Sequence, residues 1–238
     1  MLRAIKKFFL PEMDLLLSLD ASADFCSAAI HKDGELIAAE HIELLRSAAA
    51  QLGPAVERVM KTAAIKGSAL SAVAVAAGPG SYTGLRMVTS LAKGMCSALD
   101  IPLIAVDTLD VMMSKVAFSA NVNFYCPTLD ARRNEIYYKM FDHTGHIKVP
   151  TSCLIVEKES LSDFLNEGRI LFFGSGADKT VKILSHANAL IQDGVLPDAM
   201  HAGQLAYKKW LDRDFVSRSD FEPFYLKEFM VGRKPEKN

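Results

Sequence analysis

From Met13 onward, apolar runs and amphipathic stretches follow one another in an order that occurs twice: strands, then a helix, a strand and a helix. Residues 15–19 and 25–31 form short strand-like runs, and Lys32-Asp33-Gly34 turns the chain into a third run over 36–41. A helix is expected over 45–65, where Leu52, Val56, Val59, Met60 and Ala63 recur at helical spacing. Residues 72–77 read as a buried strand. Residues 82–99 read as a helix with Leu85, Val88, Leu91, Met95 and Leu99 on one stripe, and 102–106 as a strand. Thr108 is placed as the N-cap of the helix after it. The second pass begins near Asn121, with strands over 124–129, 135–141 and 147–156 and a turn at 142–145. Helices are expected over 161–165, 177–186 and 201–211, with a strand over 170–173. No sequence repeat accompanies this repeated order. The alternation places the chain in the α/β class. It divides into a first lobe over 13–118 and a smaller second lobe over 119–216, between an extension at 1–12 and a tail at 217–238. The last helix of the second lobe is also a candidate to pack on the first.

Composition narrows the function classes. At roughly 150 residues per domain, the chain holds about 1.6 domains, enough to bury a core without staples. Lysine and arginine total 27 against 28 acidic residues, for a formal charge of −1. Phosphate neutralisation dominates nucleic-acid affinity, so a chain this balanced does not grip nucleic acid alone, and any such role is shared with a partner. Cys26, Cys96, Cys126 and Cys153 form no CxxC pair and no tight Cys/His cluster, which argues against zinc and redox motifs and for a reducing compartment. The N-terminal Arg3, Lys6 and Lys7 imitate a signal peptide, but the apolar run that follows stops at Pro11. Residues 1–12 read as an extension or as a mis-assigned start ahead of Met13. No run reaches the ~18 apolar residues of a membrane span, and the expected location is the cytoplasm.

Several short segments carry possible chemistry, each beside a plain structural reading. Asp20 and Ser22 follow the first strand, where an acid and nearby N–H groups suit a metal-phosphate; an Asx-type turn explains the same residues and is favoured on them alone. The run Ala77-Gly78-Pro79-Gly80-Ser81-Tyr82-Thr83-Gly84-Leu85-Arg86 lies at a strand-to-helix junction. It suits an anion at Gly80 and Ser81, at a helix N-terminus, and equally suits close packing through its glycines. It matches neither nucleotide fingerprint. Asp130 and Arg132 follow a strand of the second half as an acid and an anion-reaching arginine, or as a surface turn. Gly174 and Gly176 open a helix in a manner that suits nucleotide backing, although a short GxG is weak by itself. His143 and His146 lie in a turn, where solvation is a better explanation than metal.

The segment GPGSYTGLRMVTSLAKGMCSALDIPLIAVDTL, from Gly78 to Leu109, resembles the signature of the bacterial TsaB (YeaZ) family. Further pieces fall in the family's order: LSLDASADFCSAAIHKDGEL, TLDARRNEIYYKMF, FFGSGADK and EPFYLK. The resemblance covers essentially the whole chain from Met13. It implies an actin/Hsp70-like (ASKHA) duplicated fold of two lobes, each with a mixed sheet and flanking helices. It also implies a role in installing threonylcarbamoyl on N6 of the adenosine beside the anticodon, in tRNAs reading A-starting codons. The paralogue TsaD carries the catalysis and TsaE is an ATPase; this chain would be a non-catalytic partner, pairing with TsaD and forming a homodimer when alone. The implied interface comprises Leu52, Val56, Val59, Met60, Ala63, Tyr82, Leu85, Arg86, Val88 and Thr89, although the same apolar stripes suit a core. TsaD proteins carry an HxxxH metal pair after a strand resembling PLIAV, where this chain has Thr108 and Met112. Two imidazoles at i and i+4 share a helix face, and Thr and Met do not replace them. Where many family members have an Arg-x-His-Ser/Thr-like stretch, this chain reads Arg46-Ser47-Ala48-Ala49-Ala50, without that polar group.

No catalytic residue, metal or cofactor of its own is therefore expected, with Mg-ATP or Mg-ADP expected at most at the complex interface and tRNA met only through the complex. Two other classes stay open. An ASKHA-type small-molecule kinase would use Asp20, Asp130 and Gly174–Gly176 on Mg-ATP between the halves. A glycoprotease-like metallopeptidase needs a metal pair or an activated nucleophile, and neither Cys26 nor Ser81 has an identifiable base.

Overall fold

The computed structural model describes residues 13–43 and 48–225, apart from the side chains of residues 43 and 48–50. The extension at 1–12, the Arg46-Ser47 stretch and most of the C-terminal tail fall outside it.

The first sheet begins with β1 (Leu15–Asp20), β2 (Phe25–Lys32) and β3 (Glu35–Glu43), an antiparallel meander turned at Asp33 and Gly34, both with positive φ. The helix α1 (Ala48–Thr62) follows, running through Pro54. Next come β4 (Ala72–Ala76), α2 (Tyr82–Leu99), β5 (Leu103–Val106) and the short α3 (Thr108–Met113). β4 and β5 add in parallel beside β1, so the spatial order is β3-β2-β1-β4-β5. Parallel strands buried on both faces read as continuous apolar runs, and β1 is buried at every position. Its alternate side chains serve opposite faces. Leu15, Leu17 and Leu19 join Val73, Val75 and Leu103 under α1 and α2, while Leu16 joins Ala72, Ala74 and Ile104 on the reverse.

The second sheet repeats this plan. β6 (Phe124–Asp130), β7 (Glu135–Asp142) and β8 (Ile147–Ile155) form the meander, followed by α4 (Ser162–Glu167), β9 (Ile170–Phe173), α5 (Ala177–Leu184) and β10 (Ala189–Gln192). The order β10-β9-β6-β7-β8 is the first order read from the other edge, with β9 and β10 parallel to β6. Phe124, Cys126, Ile136, Met140, Ile170 and Phe172 form its core with Ala177 and Leu184 of α5. The strand β10 has no counterpart in the sequence reading; its four residues are too few for an alternation to show.

The last helix, α6 (Ala199–Leu211), returns to the first sheet, covering the reverse face with Ala202 and Ala206. Among the described residues, one compact unit therefore joins the chain up to Ala117 with 194–222, and the other comprises 118–193 with 223–225. The division differs from a boundary at 216 because α6 buries its small residues against β1 and β2. A Cβ on Gly203 would lie 2.1 Å from the His31 ring. Cys26, Cys96 and Cys126 are buried as free thiols, whereas Cys153 on β8 is exposed. Among the described residues, no helix is long and apolar enough to cross a membrane.

Candidate functional site

The glycine-rich junction between β4 and α2 closes on the β1–β2 turn. Gly78 takes φ +108°, and Ser81 N–H donates to the Ser22 carbonyl at 2.8 Å. Ser81 caps α2, its Oγ accepting from Gly84 N–H at 3.3 Å. A Cβ on Gly80 would meet the Ser22 carbonyl at 2.5 Å, and one on Gly84 would lie 1.8 Å from the Ala21 carbonyl. The absent side chains are thus replaced by the chain's own hairpin backbone. Two of the junction's N–H donors, those of Ser81 and Gly84, are thereby used within the chain. The close-packing reading of these glycines is what the structure shows.

Asp20 forms the Asx turn, its Oδ1 accepting from Ser22 N–H at 2.9 Å. Its Oδ2 and the Ser22 hydroxyl are buried without a hydrogen-bond partner among the described residues. Burial pushes the Asp20 carboxyl up to about 6. On this face of the first unit, the sequence reading missed a polar network. Lys115 Nζ donates to Asp198 Oδ2 and to the Leu196 carbonyl, both at 2.6 Å. Asp198 Oδ1 accepts from His201 N–H at 2.8 Å and lies 2.8 Å from His201 Nδ1, and Ala199 N–H donates to Ser27 Oγ at 2.9 Å. Burial pulls the Asp198 carboxyl upward, but Lys115 and His201 overcome it and hold the group below its ordinary value. Asp198 caps α6, a role legible in the Pro197-Asp198-Ala199 run; its pairing with Lys115, 83 residues away, has no local signature.

In α3 the N-cap is Asp107, not Thr108. The Asp107 Oδ1 accepts from Leu109 N–H at 2.7 Å and Asp110 N–H at 3.3 Å. Thr108 instead clasps the preceding loop: its N–H donates to the Gly78 carbonyl at 3.0 Å, and its Oγ1 accepts from Gly78 N–H at 3.2 Å. Thr108 and Met112 are both fully buried. Among the described residues, no group of three or more His, Cys, Asp or Glu is placed to hold a metal ion.

The apolar stripes of α1 and α2 face inward. Leu52, Val56, Val59, Leu85 and Val88 expose at most 4 % of their surface and pack in the core of the first unit, and Thr89 is buried with them. These six do not form a partner surface in this fold, because a stripe wide enough to cover a sheet is consumed by the sheet. Met60 and Ala63 are half-buried, as is Tyr82, while Arg86 is exposed and donates to the Tyr82 hydroxyl at 3.0 Å.

In the second unit, Asp130 ends β6 as Asp20 ends β1, but in another environment. It is exposed, and its Oδ1 accepts from Lys179 Nζ at 2.7 Å and Arg132 N–H at 2.6 Å. Against a desolvation that raises it, Lys179 brings this carboxyl below its ordinary value. Gly174 has φ +98°, Ser175 Oγ accepts from Asp130 N–H at 3.0 Å, and a Cβ on Gly176 would press on Ile136 and Leu129. His143 and His146 lie in a solvated turn, where Asp142 Oδ1 accepts from Thr144 N–H, Thr144 Oγ1 and His146 N–H. The Thr144 hydroxyl, aided by these N–H groups, holds Asp142 at about 2.

Comparison with known proteins agrees with this plan. The family model for TsaD, tRNA N6-adenosine threonylcarbamoyltransferase, matches residues 43–159. The chain is 25 % identical over 230 residues to the tRNA threonylcarbamoyladenosine biosynthesis protein TsaB of Haemophilus influenzae, covering 92 % of this chain and 96 % of that one. The Escherichia coli TsaB is 24 % identical, covering 92 % of this chain and 97 % of that one. A crystal structure from Pseudomonas aeruginosa, described as similar to peptidase YeaZ, superposes with a TM-score of 0.78 at 25 % identity, covering 90 % of this chain and all of that one. One strand order built twice, each sheet flanked by helices, defines a duplicated two-lobe α/β protein. Similarity over nine-tenths of its length gives the chain its place within that class. The chain is similar to the TsaB (YeaZ) family over that length.

Proposed function

We propose that this chain acts in tRNA threonylcarbamoyladenosine biosynthesis as a non-catalytic scaffold subunit, with TsaD carrying the transfer to N6 of adenosine and TsaE joining in a larger complex. The pathway rests on the relatives that bear the TsaB name. The scaffold role is carried by α3: where TsaD proteins place two metal-binding histidines, this helix buries Thr108 and Met112, and Thr108 spends its hydroxyl on Gly78. A metal needs open, deprotonated ligands converging on one point, and this position supplies packing instead.

Binding to TsaD is assigned to the outward rows of α1 and α2. There Arg86, Met87, Ser90 and Leu91 stand beside the buried stripe, none of them fully buried. The same rows would close a homodimer in the absence of TsaD. A Mg-nucleotide belongs at the boundary of the complex, since this chain's own α2 N-terminus is filled by Ala21 and Ser22. tRNA is met through the assembly, and the assembly is cytoplasmic. Reconstituting the modification with TsaD, TsaE and tRNA, with and without this chain, tests the reading: activity that requires the chain is expected, and full activity without it refutes the role. Calorimetry of the isolated chain with Mg-ATP separates the kinase alternative, which requires tight binding and turnover.

A further inference from the structure

The β6–β7 hairpin of the second unit turns through Arg132, Arg133 and Asn134. Arg132 has φ +71° and Arg133 φ +50°, a region that long side chains seldom occupy and that glycine and asparagine fill more easily. The asparagine of this turn stands one residue later, outside the left-handed pair. The conformation is held from below. Lys179 Nζ donates to Asp130 Oδ1 at 2.7 Å, to the Arg133 carbonyl at 3.0 Å and to the Glu135 carbonyl at 2.6 Å. Ala131 N–H donates to the Glu135 carbonyl at 3.0 Å. One lysine thereby satisfies the turn's carbonyls and engages the nearest carboxylate.

The two guanidinium groups are left out of this network. Both arginines are exposed, and neither side chain forms an ion pair or hydrogen bond among the described residues. Among the other described arginines, Arg58 pairs with Glu40, Arg86 with Tyr82 and Arg218 with Asp100, and Arg213 lies over Trp210, while the exposed Arg169 stands singly on the loop before β9. A braced turn that holds two bulky residues in a disfavoured backbone region, with neither guanidinium hydrogen-bonded and Arg132 acting on Asp130 only through its charge, is built to present them. Paired planar guanidiniums match phosphate oxygens in geometry and charge.

We propose that Arg132 and Arg133 form a phosphate-binding fork that takes the phosphodiester backbone of the tRNA, an inference that rests on the pathway reading above. With a net charge of −1, the chain uses the fork as a contribution to RNA binding by the complex.

The test is a titration of labelled tRNA with the complex of TsaD, TsaE and this chain, as wild type and as R132A/R133A, across a fourfold range of salt. Each lost phosphate contact flattens the log–log salt slope by about 0.7–0.9, so the wild type should lose roughly 7- to 12-fold more affinity than the variant over that range. R132K/R133K should keep the slope, and an unchanged melting temperature of each variant shows that the fold persists. Equal affinity and equal slope for wild type and R132A/R133A overturn the fork. So does a loss confined to ATP binding with tRNA unaffected, which would make it a nucleotide site. Should the wild-type chain neither join TsaD nor alter modification, the pathway reading fails, and the same titration of the full chain alone at low salt decides the fork. There, RNA binding that falls with R132A/R133A supports it, and absent or unaltered binding overturns it.

Discussion

Gly84 and Gly94 lie ten residues apart in α2 and should respond to the same substitution with opposite signs. In a helix interior, Gly→Ala is worth about 0.8–1.0 kcal/mol through propensity alone. Gly94 has nothing within 4 Å of where a Cβ would stand, so G94A should collect that gain in full. At Gly84 the same methyl lies 1.8 Å from the Ala21 carbonyl oxygen, where real Cβ contacts stay beyond 3.0 Å. Helix and hairpin must part by more than an ångström, and the obstacle is backbone, which has no rotamer to yield. Overpacking of this kind costs about 1–3 kcal/mol. The separation also breaks the 2.8 Å bond from Ser81 N–H to the Ser22 carbonyl, a further loss of about 0.5–1.5 kcal/mol. Set against the propensity gain, G84A should be destabilised by about 2 kcal/mol. At roughly 2–4 °C per kcal/mol for a protein of this size, G84A should melt about 4–8 °C below wild type and G94A about 2–4 °C above it. Thermal unfolding followed by circular dichroism reads both. A G84A protein that melts at or above the wild-type temperature would show that the junction's glycines are not there for close approach.

Asp20→Asn should stabilise the protein at alkaline pH and lose that advantage in acid. Because the folded state raises this carboxyl from 3.8 to about 6, ionising it costs stability above the folded value, and the cost disappears as pH falls below the unfolded value. The gain of D20N, up to about 3 kcal/mol near pH 8, should fade towards zero near pH 4; denaturant titrations at several pH values that show a pH-independent difference would contradict it. Lys115→Met strands the Asp198 carboxylate, only 5 % exposed, and should cost about 3 kcal/mol in urea unfolding; a neutral result would mean that His201 suffices. Val88→Glu should abolish folding, whereas Arg86→Glu with Ser90→Glu, both at exposed positions, should leave melting intact and weaken TsaD binding at least tenfold in pull-down titration. Intact binding by the second variant would move the interface off α2.

Most of the fold could be read from the chain because its elements are set by local pattern. The bounds of α2 coincide with the sequence reading, and the Asp33-Gly34 hairpin lies where its turn residues place it. What escaped was set at a distance. Leu52, Val56 and Val88 have the same periodicity whether they meet a sheet or a partner, and only β1, β2 and β4 packed beneath them decide the matter. Thr108 looks like an N-cap, yet Asp107 takes that place because Thr108 is drawn to Gly78, 30 residues earlier. The Asx turn at Asp20 was legible from two residues, but the contrast between Asp20 and Asp130 was not, since Lys179 is brought to Asp130 by the return of α5.

The return of α6 bears on the order in which the protein can be made. The first unit is discontinuous: its sheet is complete by residue 106, but the helix that covers its reverse face begins at Ala199. Between them the ribosome must deliver the whole of the second unit. Throughout that interval Leu16, Ala72, Ala74, Ile104 and Val106 present a bare apolar sheet face, the kind of surface through which incomplete chains associate. The bond from Ala199 N–H to Ser27 Oγ spans 172 residues and forms only near the end of synthesis. The second unit, contiguous over residues 118–193 before the chain turns back, can mature while the first still waits. A chain that stops at residue 193 should therefore collect in the insoluble fraction, and α6 supplied as a separate peptide should recover part of it.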